Sequence, residues 1–352
     1  MTSPTPTSLD LPWTDQIYII AEAGVNHNGE LELAKQLVDA AHEAGADAVK
    51  FQTWKADEII GRFATKVDYL EERSGAGESF FELVERLSLP YPAFAELKRY
   101  CGEVGIQFLS TPDGFQSLDF LVDDLEVPFV KVGSTELTHL QFLTAVGRKR
   151  RPVILSTGLG TLGEIETALA ALRAGGGPEL PIVVLQCTSE YPAPPNEMNL
   201  WAMTTIASAF NVPVGLSDHS VGPEAAVAAV ALGARVIEKH LTLDRAMAGP
   251  DHLASADPQG FRELVDAVRK TSLMLGDGVK RPTPRERANM DGIRRSAVAA
   301  RALEAGCVLM AEDIVCLRPG TGVPPGQIEH IVGMRLNRPL QLHEPIRWED
   351  LR

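Results

Sequence analysis

Short β-branched runs alternate with stretches of helical periodicity from residue 17 onward, and the alternation repeats eight times. The apolar runs are Ile17–Ala23, Ala46–Phe51, Ile106–Leu109, Pro128–Val132, Pro152–Leu155, Ile182–Leu185, Val212–Leu216 and Arg235–Ile237. Between them, apolar positions recur at helical spacing over Glu30–Ala44, Tyr91–Gly102, Leu162–Ala174, Leu200–Ala209 and Pro223–Leu232. Gly45, Gly105 and Gly233 each stand just ahead of the next run, as helix stops do. Eight strands separated by helices predict a parallel sheet. A span of roughly 260 residues is the usual size of a closed eightfold barrel. The rival is an open doubly wound sheet. No Gly-x-Gly-x-x-Gly follows the first run, which weakens the dinucleotide-binding form of that rival. The expected fold class is therefore α/β, a (β/α)8 TIM barrel over residues 16–278.

Around this barrel the pattern changes. Residues 1–15, rich in Ser, Thr and Pro, read as a flexible tail, and residues 279–292, in a stretch of Gly, Pro and Arg, read as a linker. Residues 293–352 carry the short β-like runs Ala297–Ala300, Ile314–Leu317 and Leu340–Leu342 among Gly and Pro, which predicts a small β-rich domain. Composition agrees with a globular chain, at 45% hydrophobic and 23% charged residues. Cys101, Cys187, Cys307 and Cys316 form no Cys-x-x-Cys pair, so neither a disulfide framework nor a zinc knuckle is expected, and a cytoplasmic location fits. The longest strongly apolar stretch, Ala225–Ala234, is too short to cross a bilayer, and Met1–Asp10 lacks a signal-peptide pattern. A net charge of −14 argues against a nucleic-acid partner but leaves room for a small anionic substrate in a locally positive pocket.

Barrel enzymes carry their chemistry at the C-terminal strand ends, and alternate residues of a strand share a face. If Ile19, Val49, Phe51, Val130, Val132, Val214, Leu216 and Ile237 face the helices, then Glu22, Lys50, Gln52, Lys131, Ser217, His219, Glu238 and His240 face inward. An ammonium group beside an apolar core needs a partner. Lys50 and Lys131, with hydroxyls at Ser110, Thr111, Ser134, Ser156 and Ser217, make an anion cradle; the plainer alternative is that each Lys merely pairs with Glu22 or Glu136. His219 and His240 end adjacent strands, where their imidazoles could share a catalytic Mn²⁺, Mg²⁺ or Zn²⁺ with water and substrate oxygens. The alternative is a structural hydrogen bond to Asp218 or Glu238. His27, in Asn-His-Asn-Gly, fits either the site or a simple turn. Glu136 is equally an ion-pair partner and a general base.

These strand ends resemble the sialic acid synthases. The pieces are Ile-Ala-Glu-Ala-Gly-Val-Asn-His-Asn-Gly (20–29), Val-Lys-Phe-Gln-Thr (49–53), Ser-Thr-Pro (110–112) and Lys-Val-Gly-Ser-Thr-Glu (131–136). Leu-Ser-Thr-Gly (155–158), Cys-Thr-Ser-Glu-Tyr-Pro-Ala-Pro (187–194), Gly-Leu-Ser-Asp-His-Ser (215–220), Glu-Lys-His-Leu-Thr (238–242) and Gly-Pro-Asp-His (249–252) follow in order. Leu-Arg-Pro-Gly-Thr-Gly (317–322) is similar to that family's antifreeze-like SAF domain. The resemblance implies condensation of phosphoenolpyruvate with the open-chain aldehyde of an N-acyl hexosamine such as N-acetylmannosamine, with phosphate leaving by C–O cleavage. The alternative product is a legionaminic or pseudaminic acid. By resemblance, Lys50, Thr111, Lys131, Ser134, Ser156, Ser189 and Ser217 hold phosphoenolpyruvate, and Gln52, Tyr191 and Asp251 hold the sugar. His219 and His240 hold the divalent metal, Mn²⁺ or Mg²⁺, Glu136 handles a proton, and Glu22 assists. Arg318 reaches a neighbouring subunit's barrel in a domain-swapped homodimer. The sequence departs from the family's pattern at Asp113, where Phe usually follows Ser-Thr-Pro, and at Thr135, His139 and Ser189. Ser189 keeps a hydroxyl donor with a shorter reach than Asn. Two rival classes are a non-catalytic carbohydrate-binding protein and a metal-dependent pyruvate aldolase, which would need no phosphate cradle.

Overall fold

Alternating side chains give each barrel strand an inner and an outer face, and the two faces belong to separate apolar clusters. The computed structural model describes residues 11–14, 16–66 and 77–352. The chain divides into two units, Met1–Gly276 and Asp277–Arg352. The first contains β1 (Tyr18–Gly24), β2 (Ala48–Trp54), β3 (Gln107–Asp113), β4 (Val130–Val132), β5 (Val153–Ser156), β6 (Ile182–Cys187), β7 (Val214–Asp218) and β8 (Val236–His240). All paired neighbours are parallel, in the order β3-β2-β1-β8-β7-β6-β5-β4. The two end strands, β3 and β4, lie side by side, so the sheet curls into a nearly closed barrel. Every expected strand is present, and several run further, because the ladder continues from the apolar floor into the polar mouth.

The helices are α1 (Leu31–Glu43), α2 (Ala56–Ile59), α3 (Phe80–Leu87), α4 (Tyr91–Val104), α5 (Phe115–Asp119), α6 (Leu140–Arg148), α7 (Leu162–Gly176), α8 (Trp201–Phe210), α9 (Glu224–Ala231) and α10 (Pro258–Leu275). Their ends follow from local chemistry. Thr161 and Glu164 exchange side-chain and backbone hydrogen bonds in a capping box that starts α7. Gly105, at φ 91°, stops α4 in the left-handed region. The outer cluster packs Ile19, Val49, Phe51, Val130, Val132, Leu155, Leu216 and Ile237 against the helices. The inner cluster fills the barrel floor with Tyr18, Ile20, Ala48, Leu109, Ile154, Val183, Leu185 and Val236.

Most of residues 1–15 lies outside the described residues, but the 11–14 segment is no free tail. Trp13 is 2% exposed and plugs the floor, 5.4 Å from the Phe129 ring and 6.4 Å from the Tyr18 ring in edge-on geometry. The second unit differs from expectation in two places. The stretch read as a linker contains α11 (Pro284–Ile293), begun by a Thr283–Glu286 capping box, since Pro at the first helical turn favours the helix it would break elsewhere. The Leu340–Leu342 run contributes only an isolated bridge from Leu340 to Leu303, whereas β9 (Ser296–Ala299) and β10 (Ile314–Leu317) form an antiparallel pair. Leu303, Leu309, Val323, Ile331, Leu336 and Ile346 complete this unit's own core.

Removing the floor plug leaves a cavity that the rigid strands do not collapse. Trp13→Ala is expected to lower the unfolding free energy by about 3–5 kcal/mol in urea titrations, and Trp13→Phe by clearly less. A loss below about 1 kcal/mol for the alanine variant would show that the plug is not packed.

Candidate active site

The inward face of each strand passes from apolar floor to polar mouth in a single two-residue step. Ile20 is followed by Glu22, Ala48 by Lys50 and Gln52, Leu109 by Thr111 and Asp113, Ile154 by Ser156, and Val236 by Glu238 and His240. The mouth is therefore a ring of polar groups resting on a dry core.

Four charges lie at its centre. Lys50 Nζ is 2.6 Å from Glu22 Oε2 and donates to Thr111 Oγ1 at 2.9 Å. Lys131 Nζ donates to Ser156 Oγ at 2.7 Å and lies 3.6 Å from Glu238 Oε1, which also accepts from Ser217 Oγ at 3.1 Å. Glu238 Oε2, 4.0 Å from Lys50, has no hydrogen-bond partner among the described residues. Burial pulls the Lys50 ammonium down, but Glu22 and Glu238 outweigh it and hold its pKa above the ordinary value. Burial dominates at Lys131 and lowers it. Burial also pushes Glu22 up to about 7, against the pull of Lys50. Burial thus works against the charged form of Glu22 and of Lys131 alike, while Lys50 and Glu238 are held ionised by their neighbours. The sequence marks Glu238 as an inward residue and a candidate hydrogen-bond partner of a histidine, yet it sits between both lysines and bonds Ser217 instead.

Beside the lysines, the loops after β4, β5 and β6 converge on Gly158. A Cβ there would lie 2.1 Å from Ser189 Oγ, 2.9 Å from Ser134 Oγ and 3.2 Å from Cys187 Sγ, so only glycine leaves this niche open. Gly158 N donates to Ser134 Oγ at 2.9 Å. Lys50, Lys131, Thr111, Ser156 and Ser217 thus join in one network, with Ser134 and Ser189 at the niche. Ser110 does not belong. It has the parity of Phe108, points outward, and shares a 2.7 Å hydrogen bond with Thr53. His27 is likewise a turn residue: buried, its pKa lowered to about 4 by burial, with Nδ1 accepting from Gly29 N at 3.0 Å.

His219 and His240 do come together, with ring centroids 5.3 Å apart. Tyr191 stacks on His219 at 4.1 Å and meets His240 edge-on at 5.5 Å. His219 Nδ1 is 2.7 Å from Thr188 O, which assigns the proton to Nδ1 and leaves Nε2 with a lone pair. His240 Nδ1 is buried without a hydrogen-bond partner among the described residues, 3.5 Å from Asp251 Oδ2. Burial, and then His219, push the His240 pKa well below its usual value, so the ring stays neutral. Burial lowers the His219 pKa, but Cys187 and the Thr188 carbonyl outweigh it and raise it, so this imidazole would give up a proton to a divalent ion, which the neutral His240 beside it also fits. Among the described residues no three His, Cys, Asp or Glu side chains form a complete cage, so the pair fits as a partial coordination sphere.

A cavity of about 230 Å³ opens beside the histidines, lined by Gln52, Asp113, Tyr191, His240 and Asp251 on one side. Gln52 Nε2 donates to Glu22 Oε1 at 2.7 Å, tying the cavity to the charged cluster. Glu136 lies in a single helical turn, Ser134–Glu136, at the rim; Oε2 is 2.7 Å from His139 Nδ1, not from either buried lysine. Asp113, at the end of β3, was missed as a site residue. Burial, and then Glu136, raise its pKa to about 7. Arg318, in the second unit, donates through Nε to Ile293 O at 2.8 Å.

A (β/α)8 barrel with two buried lysines, a ring of hydroxyls and a histidine pair at the strand ends defines an anion-handling barrel enzyme. Residues 37–280 match the NeuB family and residues 294–352 the SAF domain; the chain belongs to the NeuB family of synthases. It is 42% identical over 336 residues to the N,N'-diacetyllegionaminic acid synthase of Legionella pneumophila, covering 95% of this chain and 94% of that one. It is 35% identical over 323 residues to human N-acetylneuraminate-9-phosphate synthase, covering 91% and 88%. The crystal structure of the N-acetylneuraminic acid synthetase from Leptospira borgpetersenii, in complex with citrate, superposes with a TM-score of 0.69 at 34% identity, over 78% of this chain and 90% of that one. No helix among the described residues is long and apolar enough to cross a membrane.

A carboxyl whose folded pKa is raised binds its proton more tightly in the native state. It therefore costs stability as pH rises from the unfolded carboxylate pKa, about 3.9, toward about 7. Asp113→Asn removes that cost, so its melting temperature relative to the unsubstituted protein is expected to increase from pH 5 to pH 8. A pH-independent difference would mean that Asp113 is not held protonated by the fold.

Proposed function

We propose that the protein condenses phosphoenolpyruvate with the open-chain aldehyde of an N-acylated hexosamine, giving a nine-carbon 2-keto acid and inorganic phosphate. The observation that carries this reading is the pair of buried lysines in a hydroxyl network beside two close-set histidines. Lys50 and Lys131 would neutralise the carboxylate and phosphate, with Thr111, Ser156 and Ser217 orienting them and Ser134 and Ser189 donating at the niche left by Gly158. A divalent ion, Mn²⁺ or Mg²⁺, held by His219 and His240 would polarise the aldehyde. Gln52, Tyr191 and Asp251 would hold the sugar so that C3 of phosphoenolpyruvate faces its aldehyde carbon. Water then adds at C2, with Glu136 taking its proton at the rim and Glu22 exchanging one with the substrate from within. Phosphate departs with the C2–O bond.

Two acceptor readings stand. N-acetylmannosamine would give N-acetylneuraminate; the higher identity to the Legionella relative than to the human one favours a diacetamido deoxy-hexose, its C6 a methyl as well, and a legionaminic-type product. We further propose that two copies pair in the cytoplasm, each lending Arg318 to the other's barrel.

Purified protein supplied with phosphoenolpyruvate, Mn²⁺ and a panel of N-acyl hexosamines is expected to release phosphate only when sugar is present. Absence of sugar-dependent release with every acceptor sinks the synthase reading. EDTA and His219→Ala should each lower turnover at least about a hundredfold, on the scale of losing an electrostatic catalyst; full activity in either case returns the histidines to a structural role. Arg318→Ala should be inactive alone and regain activity when mixed with a Lys131→Met chain. Heterodimers that form without regained activity would refute the shared site.

A further inference from the structure

The cavity beside the histidines has a second side that the roles above leave unused. Val25, Trp54, Phe80, Leu83, Val84 and Leu87 line it and pack into a small apolar cluster of their own. This wall is built rather than incidental: Leu83 is 2% exposed, and Trp54 Nε1 donates to Val84 O at 3.0 Å, which pins the indole of β2 to α3. Asp113 lies in register with Trp54 on the neighbouring strand and lines the same cavity. Its carboxyl makes no hydrogen bond or ion pair with the described residues.

A half-buried carboxyl on the wall of an open cavity bonds water, and a ligand N–H or O–H can take that water's place. An apolar wall favours a methyl group and penalises a hydroxyl that gives up its water without a replacement. A phosphate in the same cavity would face two acidic side chains, Asp113 and Asp251, which repel it when ionised. We propose that the cavity seats an uncharged acceptor sugar, with an acyl or deoxy methyl against the Trp54–Leu83–Leu87 wall and an N–H or O–H donor on Asp113. Asp113 is then the residue that selects the acceptor. This inference rests on the synthase reading.

The test uses the full chain with Mn²⁺ and phosphoenolpyruvate and compares kcat/KM for N-acetylmannosamine, its 6-phosphate and a 2,4-diacetamido-2,4,6-trideoxy hexose. The trideoxy sugar should be used best and the 6-phosphate worst. Asp113→Asn, which keeps the side-chain shape, and Asp113→Leu should raise the KM of the best acceptor about tenfold or more, the scale of one hydrogen bond to a charged group. The KM for phosphoenolpyruvate should not move. Preference for the 6-phosphate overturns the inference while leaving the synthase reading intact. So do Asp113 variants that change neither KM, or that raise both equally as a folding defect would. No phosphate release with any acceptor removes the synthase reading itself, and the inference with it.

Discussion

The buried alternation of two ammonium groups and two carboxylates inside the barrel is the constraint on which the rest of the structure depends. Lys50 and Lys131 project from strands whose neighbouring inward residues, Ala48 and Phe129, belong to a dry floor. Each isolated charge there would cost several kcal/mol, and the interior tolerates them only because Glu22 and Glu238 alternate with them. The same arrangement limits how well the protein satisfies itself. Glu238 Oε2 lacks a hydrogen-bond donor among the described residues, Lys131 is depressed by burial, and Glu22 is raised toward neutrality. A site that is balanced but incompletely bonded gains from an anion more than a fully satisfied one would.

Position then divides the labour around the cluster. The β4, β5 and β6 ends supply small hydroxyls and a Cβ-free niche, which suits a compact, highly charged group. The β1, β2 and β3 ends with α2 and α3 supply a mixed apolar and polar cavity, which suits a larger neutral one. The histidine pair stands between them and is held by Tyr191. Two kinds of ligand can therefore be read from one mouth, because neighbouring strands carry different side chains at the same height.

Much of this was legible in the sequence because a strand has a period of two. The outward Val49, Phe51, Val130 and Val132 imply the inward lysines, and the structure places them so. The same logic also explains the failures. Ser110 was grouped with Thr111 by chemistry, although adjacent residues on a strand must face opposite ways. Thr283 and Pro284 start a helix that a composition of Gly, Pro and Arg disguises as linker, because capping depends on order rather than content. Glu238 and Asp113 were underweighted for another reason. Their importance comes from partners on other strands, Lys50 and Lys131 for one and the Trp54 wall for the other, and periodicity along a single strand does not reveal such partners.

Trp13 shows how sequence order and spatial order can part company. It is synthesised ahead of every barrel strand, yet the ring it leans on, Phe129, lies on the far side of three strands of chain. Its socket does not exist until half the barrel has emerged and curled. Trp13 therefore makes a long-range contact of the kind that slows folding, and its indole stays unprotected during synthesis until Phe129 has been made.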